Sequence, residues 1–284
     1  MLELRELGAW RAFGEATRAD ARTLGLVPTM GALHAGHLSL IRAAKDRGDV
    51  VVATIFVNPR QFNDAGDLAH YPRSLDADRM TAAAAGVDVL VVPALEEMWP
   101  QYPRDTLTSV HVAGLGDVLE GASRPGHFAG VASVVAKLFN VTGPCRAYFG
   151  LKDFQQVAVV RQMVRDLAMP VELVECPIVR DLDGLALSSR NVRLSASARE
   201  RALALSRAIA AVASAPASAS SHRATLRSVL EDAGLEVAYA DVVDPVTLAS
   251  LGDAERGEGR ALVAATVEGV RLIDNGPVEL SARE

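Results

Sequence analysis

Four short stretches of this 284-residue chain hold side chains whose types and spacing can do chemistry. In Val27–Leu40, VPTMGALHAGHLSL, His34 and His37 stand three apart where a strand should give way to a helix. That spacing sets both imidazoles on one helix face, beside unpaired N–H groups and a dipole end that favour an anion such as phosphate. Gly31 permits a tight turn, and Gly36 lets an anion come close to the backbone. A helix cap plus a surface histidine would give the same pattern. Zinc is disfavoured, since neither a third ligand nor an HExxH glutamate is present.

The second stretch, FVNPRQF at Phe56–Phe62, follows a buried strand and offers Asn58 and Gln61, amides suited to the hydroxyls and carboxylate of a small polar substrate. An Asn-Pro turn is also ordinary loop punctuation. The third, FGLKDFQQ at Phe149–Gln156, has Gly150 ending a strand, Lys152 as a mobile ammonium for phosphate oxygens, and Asp153 as an N-cap. Gln155 and Gln156 open the helix that follows. The fourth, LSSRNVR at Leu187–Arg193, sets two hydroxyls before a guanidinium. It reads as a polyphosphate clamp or as a solvated basic loop.

These stretches need a scaffold. Leu24–Pro28, Val50–Val57, Val87–Val92 and Val171–Val179 read as buried strands, and helical patterns at Gly36–Arg47, Asp76–Ala85 and Phe154–Leu167 alternate with them. Strand–helix–strand units with continuously apolar strands predict an α/β fold, a Rossmann-like parallel sheet whose ligands bind beyond the strands' carboxyl ends. After the turn signal DLDG (Asp181–Gly184) the grammar changes. Ser195–Ala213 reads as a long helix capped by Ser195, ASAPASASS (Ala213–Ser221) as a flexible connector, and His222–Ala233 as a helix. Strands follow near Glu236–Val243, Ala261–Val267 and Val270–Ile273, the last two joined tightly through Glu268 and Gly269. The expected division is 1–184, a catalytic domain, and 185–284, a smaller α+β lid domain.

Half of the residues are hydrophobic and 23% charged, enough apolar material to fold. The balance of 29 basic against 35 acidic residues, net −6, argues against nucleic acid or an anionic membrane as partner. Any anion must be caught locally, by cationic and dipolar groups concentrated at His34, His37, Lys152 and Arg190. Seven Phe, four Tyr and two Trp are too few for base-stacking platforms. Two cysteines, Cys145 and Cys176, form no CxxC pattern, which fits a reducing, cytoplasmic setting. The first twenty residues lack the apolar core of a signal peptide, and no run of about 20 apolar residues offers a membrane span.

Together VPTMGALHAGH, FVNPRQF, YPR (Tyr71–Arg73), EGASRPGHFAGV (Glu120–Val131), FGLKDFQQ and LSSRN resemble, in order and spacing, the pantothenate synthetase (pantoate–β-alanine ligase) family, within the HxGH nucleotidylyltransferase superfamily. Leu151 departs from the pattern, which often has Glu there. The resemblance implies ATP-dependent condensation of pantoate with β-alanine through a pantoyl adenylate, giving pantothenate, AMP and pyrophosphate. It implies ATP contacts from Met30, Gly31, Ala32, Leu33, His34, Ala35, Gly36 and His37. Further ATP contacts come from Gly150, Leu151, Lys152 and Asp153, and from Val179, Leu187, Ser188, Ser189 and Arg190. Gln61 and Gln156 should hold pantoate and β-alanine, with Asn58 and Tyr71 as supporting lining. His37, assisted by His34, would be the donor nearest the reacting phosphate, and Lys152 the cation for the β- and γ-phosphates. Mg2+ should bridge the phosphates, with Asp78 as a candidate ligand, and the family points to a homodimer.

An aminoacyl-tRNA synthetase-like domain shares the HxGH signature but needs a basic RNA-binding surface, against the net charge. A nucleotide sensor without chemistry needs fewer convergent donors than this chain carries.

Overall fold

Strands that are apolar at every position need a helix layer on each face, and the larger sheet has both. The computed structural model describes residues 1–281. Its first part runs β1 (Leu2–Leu4), α1 (Leu7–Ala19), β2 (Leu24–Val27), α2 (Ala35–Asp46), β3 (Val50–Thr54), α3 (Ala65–Ala69), α4 (Leu75–Ala84) and β4 (Val89–Val91). It continues through α5 (Leu95–Met98), α6 (Glu120–Ser123), α7 (His127–Thr142), β5 (Cys145–Gly150), α8 (Phe154–Asp166) and β6 (Val171–Cys176). The strands lie in the order β1-β4-β3-β2-β5-β6, every neighbour pair parallel.

Alternation along the strands sorts the core. Leu24, Leu26, Val50, Val52, Val89, Val91 and Phe149 face a layer built from α1, α7 and α8. Val27, Val51, Ala53, Leu90 and Tyr148 face α2 and α4, through Leu40, Ile41, Ala44 and Ala82. The order of winding reverses at β2: β3 lies on one side and β5 on the other. The loops leaving the carboxyl ends of β2 and β5 therefore open a crevice at this switch point, and they carry the His-x-x-His and Lys152 segments.

The C-terminal part contains α9 (Ala196–Ala213), α10 (Ala219–Asp232), β7 (Glu236–Val243), β8 (Gly257–Val267) and β9 (Val270–Leu280), the strands forming a three-stranded antiparallel sheet. Ala202, Leu205, Ile209, Leu226 and Leu230 from the helices cover one face. The other face meets the first domain, where Val243, Leu248 and Leu262 join the larger core. Glu268 and Gly269 both have positive φ, 47° and 74°, the conformation of a type I′ hairpin turn. The fold is thus the expected Rossmann-like α/β domain with a small C-terminal α+β domain.

Three expectations change. The connector at Ala213–Ser221 is short and held. Ala217 exchanges backbone hydrogen bonds with β9, donating to Glu279 and accepting from Ser281, and Ser218 caps α10. β8 and β9 run longer than Ala261–Val267 and Val270–Ile273. β6 ends at Cys176, and residues 177–187 fold instead into a small turn in which Arg180 bridges Ala186. Helix α7, buried along most of its faces with only a narrow outer stripe at Ser133, Lys137 and Asn140, escaped the sequence reading. Cys145 and Cys176 are both free and buried.

Candidate active site

His34 is the N-cap of α2. Its Nδ1 accepts from the Gly36 amide at 3.1 Å, while the Nδ1 of His37 accepts from the His34 amide at 3.3 Å. The two rings lie 4.1 Å apart, centroid to centroid. An Nδ1 that accepts fixes the neutral ring's proton on Nε2, so each imidazole caps the helix with one nitrogen and keeps the other as a donor. Capping occupies one end of each ring and leaves an N–H donor at the other. A Cβ on Gly36 would sit 2.9 Å from Cε1 of His34, so glycine is needed for the ring to fold over the helix start.

Neither ring is cationic at neutral pH. Burial, then the Lys152 ammonium, lowers His34 to about 4, and burial, then His34, lowers His37 to about 3. The expectation that these histidines add positive charge is corrected: they serve as neutral Nε2–H donors.

The loop before them is held by Asp78, which is buried in α4. One of its carboxylate oxygens accepts from the Ala32 amide at 2.9 Å and the other from the Leu33 amide at 2.7 Å. Gly31 and Ala32 both have positive φ, 83° and 50°, which turns these amides toward the carboxylate. Thr29 secures the loop's other end, its hydroxyl donating to the Thr54 carbonyl at 2.5 Å and accepting from Gly31. Asp78, the candidate magnesium ligand, is engaged here as a clamp on this loop. Among the described residues no three His, Cys, Asp or Glu side chains converge to hold a metal ion. The donor set does not fit a protein-built Mg2+ site.

Beside the histidines lies a cavity of about 240 Å3. Met30, Gly36, Gln61, Tyr71 and Gln156 line it, with Asn58 at its wall. Gly150, Lys152, Asp153, Val179, Leu187, Ser188, Ser189 and Arg190 complete the expected set. Gly31, Ala32, Leu33 and Ala35 shape the loop without lining the cavity. Leu151 packs its side chain against the main core, so a glutamate's role there is not reproduced. A second cavity of about 460 Å3, running to β9 of the small domain, shares Lys152, Asp153, Gln156, Ser188 and Arg190 with the first. The two form one cleft between the domains.

Several side chains arrive already engaged. Asn58, 1% exposed, accepts from Trp99 Nε1 at 3.0 Å and donates to the Gly130 carbonyl and to Gln61 Oε1. It orients Gln61, and its amide is already engaged on both sides, in keeping with a supporting place in the lining. Arg190 pairs with Asp67 of α3 at 2.7 Å, and Arg193 shares the same carboxylate. Asp153 occupies the N-cap position of α8 without capping it and lies 3.5 Å from the Lys152 ammonium. Gln155 is structural, donating to the Leu115 and Val118 carbonyls. Tyr71 is buried against Phe62, and that burial raises its phenol's pKa.

Two residues of the EGASRPGHFAGV segment lie in both cavities without having been singled out: Arg124 and His127. His127 Nδ1 donates to the Gln61 carbonyl at 2.8 Å, and its pKa is lowered to about 4 by burial, then by Arg124. Their sign in the sequence was Gly126, whose φ of 82° starts α7 and turns His127 toward the Gln61 carbonyl.

The family profile described as Pantoate-beta-alanine ligase matches residues 3–277. The chain belongs to the pantoate–β-alanine ligase family. A pantothenate synthetase of Paracoccus denitrificans is 49% identical over 282 residues, covering 98% of each chain. One from Cereibacter sphaeroides is 50% identical over 284 residues, covering 97% of this chain and 99% of the relative. Among solved structures, the pantothenate synthetase of Thermus thermophilus superposes with a TM-score of 0.87 at 43% identity, covering 97% of this chain and 99% of that one. The Francisella tularensis pantoate–β-alanine ligase, crystallised with β-γ ATP and β-alanine, gives 0.80 at 34% identity over 97% of each chain. As a pantoate–β-alanine ligase, the protein is an enzyme that makes pantothenate from pantoate and β-alanine.

Proposed function

We propose that the reaction is ATP-dependent and passes through a pantoyl adenylate in this cleft. One observation carries the reading. Two neutral imidazoles offer Nε2–H groups at the start of α2, across a single cleft from the Lys152 ammonium and the Ser188, Ser189 and Arg190 donors, with Gln61 and Gln156 alongside. The nucleotide complex of the Francisella relative supports ATP as the co-substrate.

A carboxylate is a poor electrophile, because its leaving group is oxide and its charge repels an amine. In the first step a pantoate carboxylate oxygen attacks the α-phosphorus, the bond to the bridging oxygen breaks, and pyrophosphate leaves. His37, assisted by His34, donates to the oxygens on which charge grows, and Lys152 and Arg190 neutralise the departing diphosphate. Ser188 and Ser189 add hydroxyl donors. Arg190 must share or release Asp67 to do so. In the second step the β-alanine amine attacks the acyl carbon and AMP departs. The amine proton is lost as the amide forms. Gln61 and Gln156 hold the pantoyl group, Asn58 and Tyr71 brace them, and positioning in a water-poor cleft supplies much of the acceleration.

Met30, Gly150, Asp153, Val179 and Leu187 complete the nucleotide-binding wall, and Gly31 to Leu33 and Ala35 set the loop's shape. Mg2+ belongs to this reading only as an ion carried by the phosphates, where it would screen their charge. Residues 1–184 act as the catalytic domain and 185–284 as the lid; the second core begins at Leu185, which supports that boundary. A cytoplasmic homodimer is the setting we propose, checked by sedimentation. The decisive assay omits ATP, pantoate and β-alanine in turn. Pyrophosphate release with pantoate alone, and AMP release only when β-alanine is added, is expected. Pyrophosphate release that requires β-alanine overturns the adenylate.

A further inference from the structure

Among the small-domain residues that line the cleft is a buried polar dipeptide. Asp274 and Asn275, at the middle of β9, are each 2% exposed although polar. Asp274 receives both terminal nitrogens of the Arg180 guanidinium at 2.6 and 2.9 Å. The Asn275 Nδ2 group donates to two successive carbonyls of the first domain, Leu151 at 3.0 Å and Lys152 at 2.9 Å. Its Oδ1 accepts from the Arg260 guanidinium, Nε at 3.0 Å and Nη2 at 2.5 Å. Arg260 itself lies over the Phe154 ring, 4.4 Å from its centroid.

This network fixes the amide's orientation, since only the oxygen can face a guanidinium and only the nitrogen can face two carbonyls. An NH2 group has two protons, and here each has its own acceptor. Pinning two adjacent carbonyls fixes two peptide planes, and with them the direction in which Lys152 leaves the backbone. Nothing else among the described hydrogen bonds ties β9 to that turn.

We propose that Asn275 is a positioning residue for Lys152: the small domain aims the phosphate-binding ammonium through two hydrogen bonds to the main chain. The proposal rests on the reading of Lys152 as an ATP ligand. It also gives the small domain a part in the chemistry besides covering the cleft. A ligand group displaced by about 1 Å can lose about 100-fold in rate, which bounds the effect from above.

The test compares ATP–pyrophosphate exchange in the wild type, Asn275→Ala, Asn275→Asp, Lys152→Ala and the Lys152→Ala/Asn275→Ala double variant. Asn275→Asp keeps an acceptor for Arg260 and the side-chain volume while losing the donor, and the melting temperature of each variant separates lost positioning from lost fold. Both Asn275 variants are expected to raise the KM for ATP about tenfold while the KM for pantoate stays put, a split that general loosening would not produce. In the Lys152→Ala background the Asn275 change should add nothing. An equal loss in both backgrounds, or a wild-type KM for ATP in Asn275→Asp, overturns the positioning role. Normal kinetics in Lys152→Ala would instead remove the ATP-ligand reading, and the proposal with it, whereas a defective Lys152→Ala beside a normal Asn275→Ala sinks the positioning alone.

Discussion

At the scale of single residues, the cleft presents two neutral histidines, and this sets two expectations. His37→Ala should slow adenylate formation about 100-fold, as loss of one transition-state donor does; pyrophosphate release in a single turnover reads it. The second concerns acid. His34 and His127 titrate at about 4 and His37 at about 3, against an ordinary 6.5. Between those values the unfolded chain binds protons that the folded one refuses, so lowering the pH from about 6.5 toward 4 favours unfolding. The melting temperature should fall across that window, and replacing His127 with Gln should flatten the fall. Which residues line the cleft was legible in the sequence, because HxxH, LKD and SSR are local patterns. Their state was not: it depends on burial and on long-range partners such as Asp67 on Arg190, or Asp78 on the Ala32 and Leu33 amides, which lie 45 to 123 positions apart.

Elements explain why those patterns hold their shape. Helix α2 is capped by the ring that also faces the cleft, and the two duties can be parted. Asparagine is a good N-cap without an Nε2. His34→Asn should therefore melt close to the wild type while losing adenylation, and His34→Ala should lose about 1 kcal/mol as well. Asp78→Asn replaces one acceptor facing a backbone amide with a donor, and about 1–3 kcal/mol of stability should go with it; denaturant unfolding measures both. Strands β2, β3 and β4 were readable because runs such as VVVAT are apolar throughout, whereas the three-residue edge strand β1 was too short to stand out. Helix α7 was not readable either, since its apolar positions far outnumber the few, Ser133, Lys137 and Asn140, that mark its outer stripe. The far half of β9 was hidden by Asp274, Asn275 and Pro277, residues poor in strands, though an edge strand tolerates the proline.

On the scale of the whole molecule, the two domains share more than a chain crossing. Arg271 of β9 pairs with the buried Glu120 of α6 at 2.5 Å, under Tyr239. Arg271→Ala strands that carboxylate and should cost about 3 kcal/mol, seen as a lower unfolding midpoint. If the small domain closes over ATP as proposed, keeping this pair, Asp274–Arg180 and the Asn275 bonds in place would confine the movement to a pivot about β9. Following that pivot is helped by the protein's own sulfur. Both thiols are sealed inside the sheet, and burial pushes Cys145 up to about 12, leaving no thiolate there for an alkylating dye at neutral pH. A cysteine introduced at the fully exposed Leu182, on the turn that joins the domains, would be the one position such a dye modifies. Its fluorescence would report hinge movement in a chain that keeps both native cysteines.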